Sequence, residues 1–198
     1  MTKPKTDFSF GDHAPIFDAH IKASIPNYSG LIDNSVTLSL NHVQNSTCVV
    51  DLGCSRGTLL SQIRKANQPA RPDVRYLGID REPRFSRFWN YGRAKNIRCE
   101  VGDVLACQIG NVSFASSVFT VQFLQPQQKL PLLRRINESL VEGGALIIAE
   151  KTLAATPQLQ QELDGLYYDY KRKMGFTPEQ ILDKQRALRG QMTLWTDC

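Results

Sequence analysis

The 198-residue sequence contains no apolar run long enough to cross a bilayer. Its polar, proline-interrupted start, MTKPKTDFSFGDH, lacks the pattern of a signal peptide. The five cysteines are an odd number without a Cys-x-x-Cys pair, so neither a disulfide framework nor a zinc site is indicated. The three histidines are scattered near the N-terminus, and no metal site is expected. We therefore expect a cytoplasmic protein with free thiols and no membrane contact.

The composition is that of an ordinary globular domain. Hydrophobic residues make up 41% and charged residues 22%, and the length suffices for one well-buried domain but is short for two. The net charge of +5 is mild and only weakly favours acidic partners. We expect a flexible N-terminal arm over residues 1–15 and a single domain over residues 16–198.

Apolar runs alternate with segments of helical periodicity along most of the chain. The runs predict five strands, at 47–53, 75–80, 97–104, 113–124 and 145–151. Helical patterns occupy 57–66, 82–95 and 128–144, and further helices are expected at 17–45 (with a break at Ile25-Pro26), 156–175 and 177–192. This alternation predicts an α/β fold with a doubly wound, mostly parallel sheet, an N-terminal helical lid and a helical C-terminal extension.

The first predicted strand runs into a glycine turn, in the sequence Asp51-Leu-Gly53-Cys54-Ser55-Arg-Gly57. In an open parallel sheet, ligands bind outside the carboxyl ends of the strands. Gly53 permits a tight turn and a close backbone approach, and Gly57 lets the next helix start against the sheet. We expect this loop to contact a ligand.

The next two strands end in residues suited to a nucleoside. Asp80 ends the second strand, where a carboxylate can accept hydrogen bonds from both ribose hydroxyls. After the third strand, Asp103 can reach an adenine amino group and Val104 can pack on its ring. We therefore expect one adenosine-shaped site, formed by the glycine loop after the first strand together with Asp80 and Asp103.

The glycine spacing distinguishes two classes of ligand. A dinucleotide fingerprint needs glycines at 53, 55 and 58, where this chain has Gly, Ser and Thr, so a pyrophosphate lacks its backbone cradle. The pattern Asp-x-Gly-x-x-x-Gly, with Gly-Asp-Val after the third strand, resembles the class I S-adenosylmethionine-dependent methyltransferases. That resemblance implies that Asp51 lies near the ammonium group of the methionine moiety.

Longer segments resemble one family with this fold, the carboxy-S-adenosylmethionine synthases. The resemblance implies that S-adenosylmethionine, or its carboxylated form, is the ligand, and that the carboxyl group lost by prephenate is attached to its methyl group through a sulfonium ylide that captures carbon dioxide. It also implies a role in tRNA wobble-uridine modification, since a partner enzyme uses the product. The matching segments are SIPNYSG (24–30), VVDLGCS (49–55), FTVQFL (119–124), EGGALIIAEK (142–151) and DYKRKMG (169–175).

The resemblance also implies roles for single residues. Tyr28 matches a tyrosine that contacts the cofactor, and we assign it to the catalytic set together with Arg186. The loop residues Gly53, Cys54 and Ser55 match the family's loop, so a nucleophilic role of Cys54 is not expected. The positions that match the family's remaining cofactor contacts are Asp80, Asp103 and Val104.

Three positions depart from the family's pattern. Val118 replaces an asparagine that can hold the cofactor's polar tail, and Arg81 replaces the asparagine after the ribose acid. The family holds the added carboxylate with an arginine of the last helix. When the two sequences are aligned from Gly175 without gaps, Gln185 occupies that position, and when one inserted residue is allowed, Arg186 occupies it. A carboxylate needs a guanidinium or ammonium partner, so Arg186 or Lys184 should serve.

The family continues beyond the position of Cys198 with a helix and a hairpin that closes the sheet. Without that hairpin, a bare sheet edge favours a homodimer or cover by the helical tail. Two other functions stay open. An ordinary methyltransferase could use the space beside Val118 for its acceptor, and a shortened, non-catalytic paralogue could act as a binding or scaffold protein.

Two aromatic-rich stretches allow two interpretations each. Six basic residues and four aromatic residues lie between 81 and 98, which could hold RNA but favours a solvated helix whose aromatic residues face the core. Tyr167, Tyr168 and Tyr170 either roof the ligand site or pack in the core.

Overall fold

The computed structural model describes residues 14–196, and a five-stranded sheet forms its centre. All strand pairs are parallel and the spatial order is β3-β2-β1-β4-β5. The chain leaves β1 towards β2 on one side and later returns to β4 on the other, which creates a crevice at the carboxyl ends of β1 and β4. The strands are β1 (Cys48–Leu52), β2 (Arg75–Asp80), β3 (Ile97–Val101), β4 (Val112–Val118) and β5 (Leu140–Ala149).

Within residues 14–196, six α-helices surround the sheet or extend from it. The predicted break at Ile25-Pro26 is confirmed, because it separates the first two helices. The last two helices begin at threonine caps, since the hydroxyls of Thr156 and Thr177 accept hydrogen bonds from backbone N–H groups three residues on, and each is followed by proline. The helices are α1 (Phe17–Ser24), α2 (Tyr28–His42), α3 (Thr58–Asn67), α4 (Pro126–Ser139), α5 (Pro157–Lys173) and α6 (Pro178–Ala187).

Both faces of the sheet are covered, as the doubly wound prediction requires. On one face, Leu132 and Ile136 of α4 pack against the strands. On the other face, Leu60 and Ile63 of α3 and Ile32 of α2 complete a second apolar cluster. Because β1 lies between covered faces and neighbouring strands, all five of its residues are buried.

The predicted helix over 82–95 is wrong. The structure has a 3-10 helix at Pro83–Phe88 and irregular backbone after it. Phe85 turns into a small cluster and meets Phe17 edge-on, with ring centroids 5.1 Å apart. The indole of Trp89 donates a hydrogen bond to the Ser55 carbonyl, which pulls the chain towards the loop after β1.

Strand boundaries also differ from expectation, and the third strand ends at Val101 and not at 104. The fourth strand ends at Val118, and 121–123 form a 3-10 turn because the Glu150 carboxylate accepts hydrogen bonds from the N–H groups of Thr120, Val121 and Gln122. The fifth strand begins at Leu140 and not at 145, so α4 ends earlier than predicted.

The outer edge of β5 carries no further strand within residues 14–196. The two short strands β6 (Thr152–Leu153) and β7 (Trp195–Thr196) pair with each other in a separate parallel sheet. Thr193 anchors the C-terminal segment, because its N–H and hydroxyl donate to the carbonyls of Gln122 and Leu124. The outer edge of β5 is therefore without a strand partner among the described residues, and both dimerisation and cover by the helical tail stay predictions.

The predicted N-terminal arm falls mostly outside the described residues, which begin at Ala14. Residues 14–16 form a 3-10 turn in which Ala14 is fully buried. No helix within 14–196 is long and apolar enough to span a membrane.

Candidate functional site

A cavity of about 1380 Å³ opens at the carboxyl ends of the strands. Its walls are the loop after β1, the ends of β2 and β4, the helices α1 and α2, and the helices α5 and α6. The predicted lid and C-terminal extension therefore both contribute walls. The volume exceeds the roughly 300–1,000 Å³ that is usual for one small ligand.

Glycine is required at two positions of the loop after β1. Gly53 has φ +77°, and a Cβ there would lie 1.9 Å from Oγ1 of Thr120. Gly57 has φ +75°, and a Cβ there would lie 2.0 Å from the hydroxyl of Tyr91. Gly53 lines the cavity, whereas Gly57 does not and instead allows α3 to start close to the sheet.

Asp80 connects the end of β2 with the glycine loop. One carboxylate oxygen accepts a hydrogen bond of 2.8 Å from the Ser55 N–H, and the other accepts one of 2.9 Å from the Glu82 N–H. Burial raises the pKa of this carboxyl group, and the two N–H donors oppose that effect. Asp80 lines the cavity, and each of its oxygens retains a lone pair for a ligand.

Asp51 is buried in the cavity wall, with only 3% of its surface exposed. The hydroxyl of Ser116 donates a hydrogen bond of 2.7 Å to it. Burial raises the pKa of Asp51 to about 7, because the charged form loses its hydration. No cation within residues 14–196 forms an ion pair with Asp51 or Asp80, so this wall can accept a positively charged ligand group.

The predicted adenine contacts lie on the same cavity. Val104 is buried there, and the exposed Asp103 holds the turn after β3 by accepting a hydrogen bond from the Leu105 N–H. Two of the three departures from the family's pattern also lie on the wall, since Arg81 is exposed there and Val118 is half-buried at the end of β4. The structure thus brings these residues and the loop together.

Tyr28 lines the cavity from the start of α2. Its ring stacks on Phe119 with centroids 6.5 Å apart, and Phe119 follows β4 with φ +55°. Burial raises the pKa of the Tyr28 hydroxyl, so this group stays protonated near neutral pH. A protonated hydroxyl at this place can donate a hydrogen bond to a ligand.

Cys54 lines the cavity, but its thiol is not activated. Its side chain is 5% exposed and lies against Cys99, and the hydrogen bond with Cys99, together with burial, raises the pKa of Cys54. A neutral thiol is a poor nucleophile. That Cys54 is not a nucleophile stays a prediction.

The structure does not bring Arg186 to the cavity, contrary to the expected role. Its side chain is 63% exposed and lies 3.7 Å from Asp183 on the outer side of α6. Lys184, one half-turn earlier, lines the cavity and contacts His20 of the lid at 2.9 Å. Burial, and next the charge of Lys171, lower the pKa of Lys184 to about 8. Lys184 is therefore the cation that the α6 face directs inwards, and Gln185 also lines this wall.

Several residues of the site were missed by sequence reasoning. Ser116 holds Asp51, and Glu150 fixes the turn after β4, although neither belongs to the glycine-loop pattern. Lys171 lies in the matching segment 169–175 but received no role from the sequence, yet it is 5% exposed and lines the cavity. Its helical spacing of four residues from the aromatic Tyr167 was the available signal.

The structure places the two aromatic-rich stretches, 167–170 and 81–98, in different surroundings. Tyr167 and Tyr168 line the cavity, and the Tyr170 hydroxyl donates to the carbonyl of Lys22, which ties α5 to the lid. In the basic stretch, Phe85 is buried, whereas Phe88 and Trp89 are half-buried and the Trp89 indole N–H donates to the Ser55 carbonyl. Within residues 14–196, no cluster of three or more His, Cys, Asp and Glu side chains could hold a metal ion.

The fold is that of a known class of enzymes. A methyltransferase of Methanococcus maripaludis, described as S-adenosyl-L-methionine-dependent, superposes with a TM-score of 0.55 at 17% identity over 96% of this chain and 86% of its own. A second structure is the complex of the Haloferax volcanii Trm112 methyltransferase activator with a methyltransferase. It superposes with a TM-score of 0.55 at 18% identity and covers 84% of this chain and 76% of that chain. The sheet order, the glycine loop and the acids at the strand ends define a class I methyltransferase fold.

Sequence comparison narrows the class to one family. The carboxy-S-adenosyl-L-methionine synthase of Pseudomonas aeruginosa (strain UCBPP-PA14) is 32% identical over 196 residues, which are 94% of this chain and 79% of that enzyme. The synthase of Pseudomonas syringae pv. syringae (strain B728a) is also 32% identical, and the match covers 94% of this chain and 78% of that enzyme. The chain belongs to the carboxy-S-adenosyl-L-methionine synthase family and is a transferase of that family. No protein-family model matches it.

Proposed function

We propose that this chain binds S-adenosylmethionine and attaches to its methyl group a carboxyl group that originates from prephenate. One observation carries the proposal: a single cavity is lined both by the acids Asp51 and Asp80 and by the cation Lys184. The acids suit the ammonium and ribose groups of the substrate, and the cation suits the carboxylate of the product. The names of the relatives support carboxy-S-adenosylmethionine as the product.

The residues of the wall fit such a ligand. Asp51 and Asp80 are buried, with 3% and 8% of their surface exposed, and no described cation pairs with either. The hydroxyl of Ser24, on the cavity wall of α1, is buried without a hydrogen-bond partner. Buried polar groups without partners are rare in folded proteins unless a ligand or water satisfies them.

Each group has a distinct task in the proposed reaction. S-adenosylmethionine, when bound, supplies a methyl group activated by the adjacent sulfonium. Asp80 orients the ribose and Val104 packs on the adenine, while Asp51 neutralises the ammonium group. Tyr28, whose hydroxyl is protonated, donates a hydrogen bond from the lid, and Lys184 holds the new carboxylate in a partly desolvated place where ion pairs are strong.

The experiment is to incubate the purified protein with S-adenosylmethionine and prephenate and to analyse the nucleosides by mass spectrometry. Formation of carboxy-S-adenosylmethionine that depends on prephenate supports the proposal. S-adenosylhomocysteine formed with an added acceptor would instead indicate an ordinary methyltransferase that uses the space beside Val118. Absence of turnover, with no thermal shift by either nucleoside, would indicate a scaffold protein.

Two further parts of the proposal concern the protein's surroundings. The four described cysteines are free thiols, which supports a reducing compartment such as the cytoplasm. The open edge of β5 supports a homodimer formed by strand addition. The product would supply an enzyme that modifies the tRNA wobble uridine, and this chain itself needs no nucleic-acid contact for that role.

A further inference from the structure

Lys171 of α5 is a nearly buried ammonium group that the reaction described above does not use. Only 5% of its surface is exposed, and it lines the cavity. Its Nζ atom lies 4.6 Å from the ring centroid of Tyr167 and 5.9 Å from that of Phe176. Its ammonium group makes no hydrogen bond or ion pair with any residue in 14–196. Contacts with ring faces offset only part of the cost of removing an ammonium from water.

A second cation lies beside the same ring. The Nζ atom of Lys151 is 5.8 Å from the Tyr167 centroid, so two ammonium groups share one aromatic neighbour. Asp164 approaches Lys151 at 4.0 Å and leaves Lys171 without a described acid. Burial, and next the charge of Lys151, lower the pKa of Lys171, as expected where positive charge is in excess.

The burial of Lys171 restricts the ligand that this pair can bind, although Lys151 is exposed over 43% of its side chain. Because Lys171 is 5% exposed and lines the cavity, a small anion inside the cavity can contact it, whereas little of it is presented to a nucleic-acid backbone. The cavity is also larger than one nucleoside needs, which leaves room for a second molecule beside Tyr167. A planar or cyclic anion would additionally pack on this ring.

We propose that Lys171 and Lys151 form a subsite that binds a carboxylate of a small, ring-containing dicarboxylate, the carboxyl donor. The inference rests on the proposed function and deepens it, because a dicarboxylate can keep one carboxylate on Lys171 while the other leaves as carbon dioxide and the donor ring expels a hydroxide. The hydroxide takes a proton from the methyl group of S-adenosylmethionine to give water, and the carbon so deprotonated adds to the carbon dioxide. Lys184 then serves the product carboxylate, and the two lysines of α5 and α6 have separate tasks. Tyr167 supports the ring of the donor between them.

The test is a calorimetric titration of prephenate into protein that is saturated with S-adenosylhomocysteine. Lys171→Met keeps the length of the side chain and removes its charge, and we expect it to weaken prephenate binding about 10- to 100-fold. Lys173→Met is the matched control, because Lys173 is exposed on the same helix and should change the affinity less than twofold. The affinity for S-adenosylhomocysteine should stay unchanged in both variants, since neither substitution alters the part of the cavity around Asp80 that is proposed to bind the nucleoside.

The outcomes separate the subsite from the proposed function. A folded Lys171→Met protein that binds prephenate as tightly as the unmodified protein overturns the subsite, as does an unmodified protein that binds S-adenosylhomocysteine but not prephenate. If S-adenosylhomocysteine does not bind but prephenate binding still depends on Lys171, the subsite stands and the proposed function fails. Lys171→Gln replaces the methionine variant if the latter does not fold.

Discussion

The backbone N–H of Ser55 donates a hydrogen bond of 2.8 Å to the carboxylate of Asp80 and so joins the glycine loop after β1 to the end of β2. The second oxygen of Asp80 accepts from the Glu82 N–H at 2.9 Å. One carboxylate thus fixes the loop and still offers lone pairs to the cavity. The shape of the ligand site and its affinity should therefore change together when this carboxylate is altered.

Asp80→Asn tests this coupling. The amide has only one acceptor oxygen, so its NH₂ group would face one of the two N–H donors, and the bond to a ribose hydroxyl would be lost. We expect the affinity for S-adenosylhomocysteine to fall about 10- to 100-fold and the melting temperature to fall as well. Asp73→Asn is the control, because Asp73 is exposed before β2. Equal affinities of the Asp80→Asn and unmodified proteins in calorimetry would refute the assignment.

Gly53→Ala tests the steric requirement of the loop. The added Cβ would lie 1.9 Å from the Thr120 hydroxyl and would occupy a backbone with φ +77°. Gly92→Ala separates the two effects, because Gly92 has φ +59° but no atom within 4 Å of a Cβ. In urea denaturation we expect a loss of about 1 kcal/mol for Gly92→Ala and about 3 kcal/mol or more for Gly53→Ala. Equal losses would show that the contact with Thr120 can relax.

Asp51 should make the free energy of unfolding depend on pH. Its pKa is about 7 in the folded chain against an ordinary value of 3.8, so between these values the folded state holds a proton that the unfolded state releases. This contribution to stability is complete below the lower pKa and is lost as pH rises through about 7. We expect the unmodified protein to lose more stability than Asp51→Asn between pH 5 and pH 8 in denaturant titrations. Parallel pH profiles for the two proteins would contradict the raised pKa of Asp51.

Lys184 and Arg186 should have opposite importance for the carboxylated ligand. Lys184 lines the cavity, whereas Arg186 is 63% exposed and pairs with Asp183 on the surface. Lys184→Met should reduce the preference for carboxy-S-adenosylmethionine over S-adenosylhomocysteine about tenfold or more. Arg186→Ala should leave that preference unchanged. If the preference fell in this variant, Arg186 would have to contact the added carboxylate after all.

The central part of the site could be predicted because local sequence determines it. The glycines at 53 and 57 are required by the backbone and by close neighbours, and Asp51, Asp80 and Asp103 follow from the ends of parallel strands. The five strands could likewise be found, since each is a short apolar run between helical or turn segments. These features depend on residues close together in the chain.

The remaining features depend on contacts between distant segments. The predicted helix after Asp80 was wrong because Trp89 is held by the Ser55 carbonyl and Phe85 by Phe17, which periodicity does not reveal. Arg186 was assigned by counting residues, whereas the orientation of α6 directs Lys184 inwards. Lys171 received no role from the sequence, because only the position of α5 over the cavity shows that it is buried there.

The most direct test of the account is to identify the small molecule that copurifies with the native protein. Ligand released from freshly purified protein would be analysed by mass spectrometry, with the Asp80→Asn protein purified in parallel. The account predicts S-adenosylmethionine or carboxy-S-adenosylmethionine with the unmodified protein and a reduced amount with the variant. A protein that carries neither compound, and whose melting temperature does not change when either is added, would contradict the account.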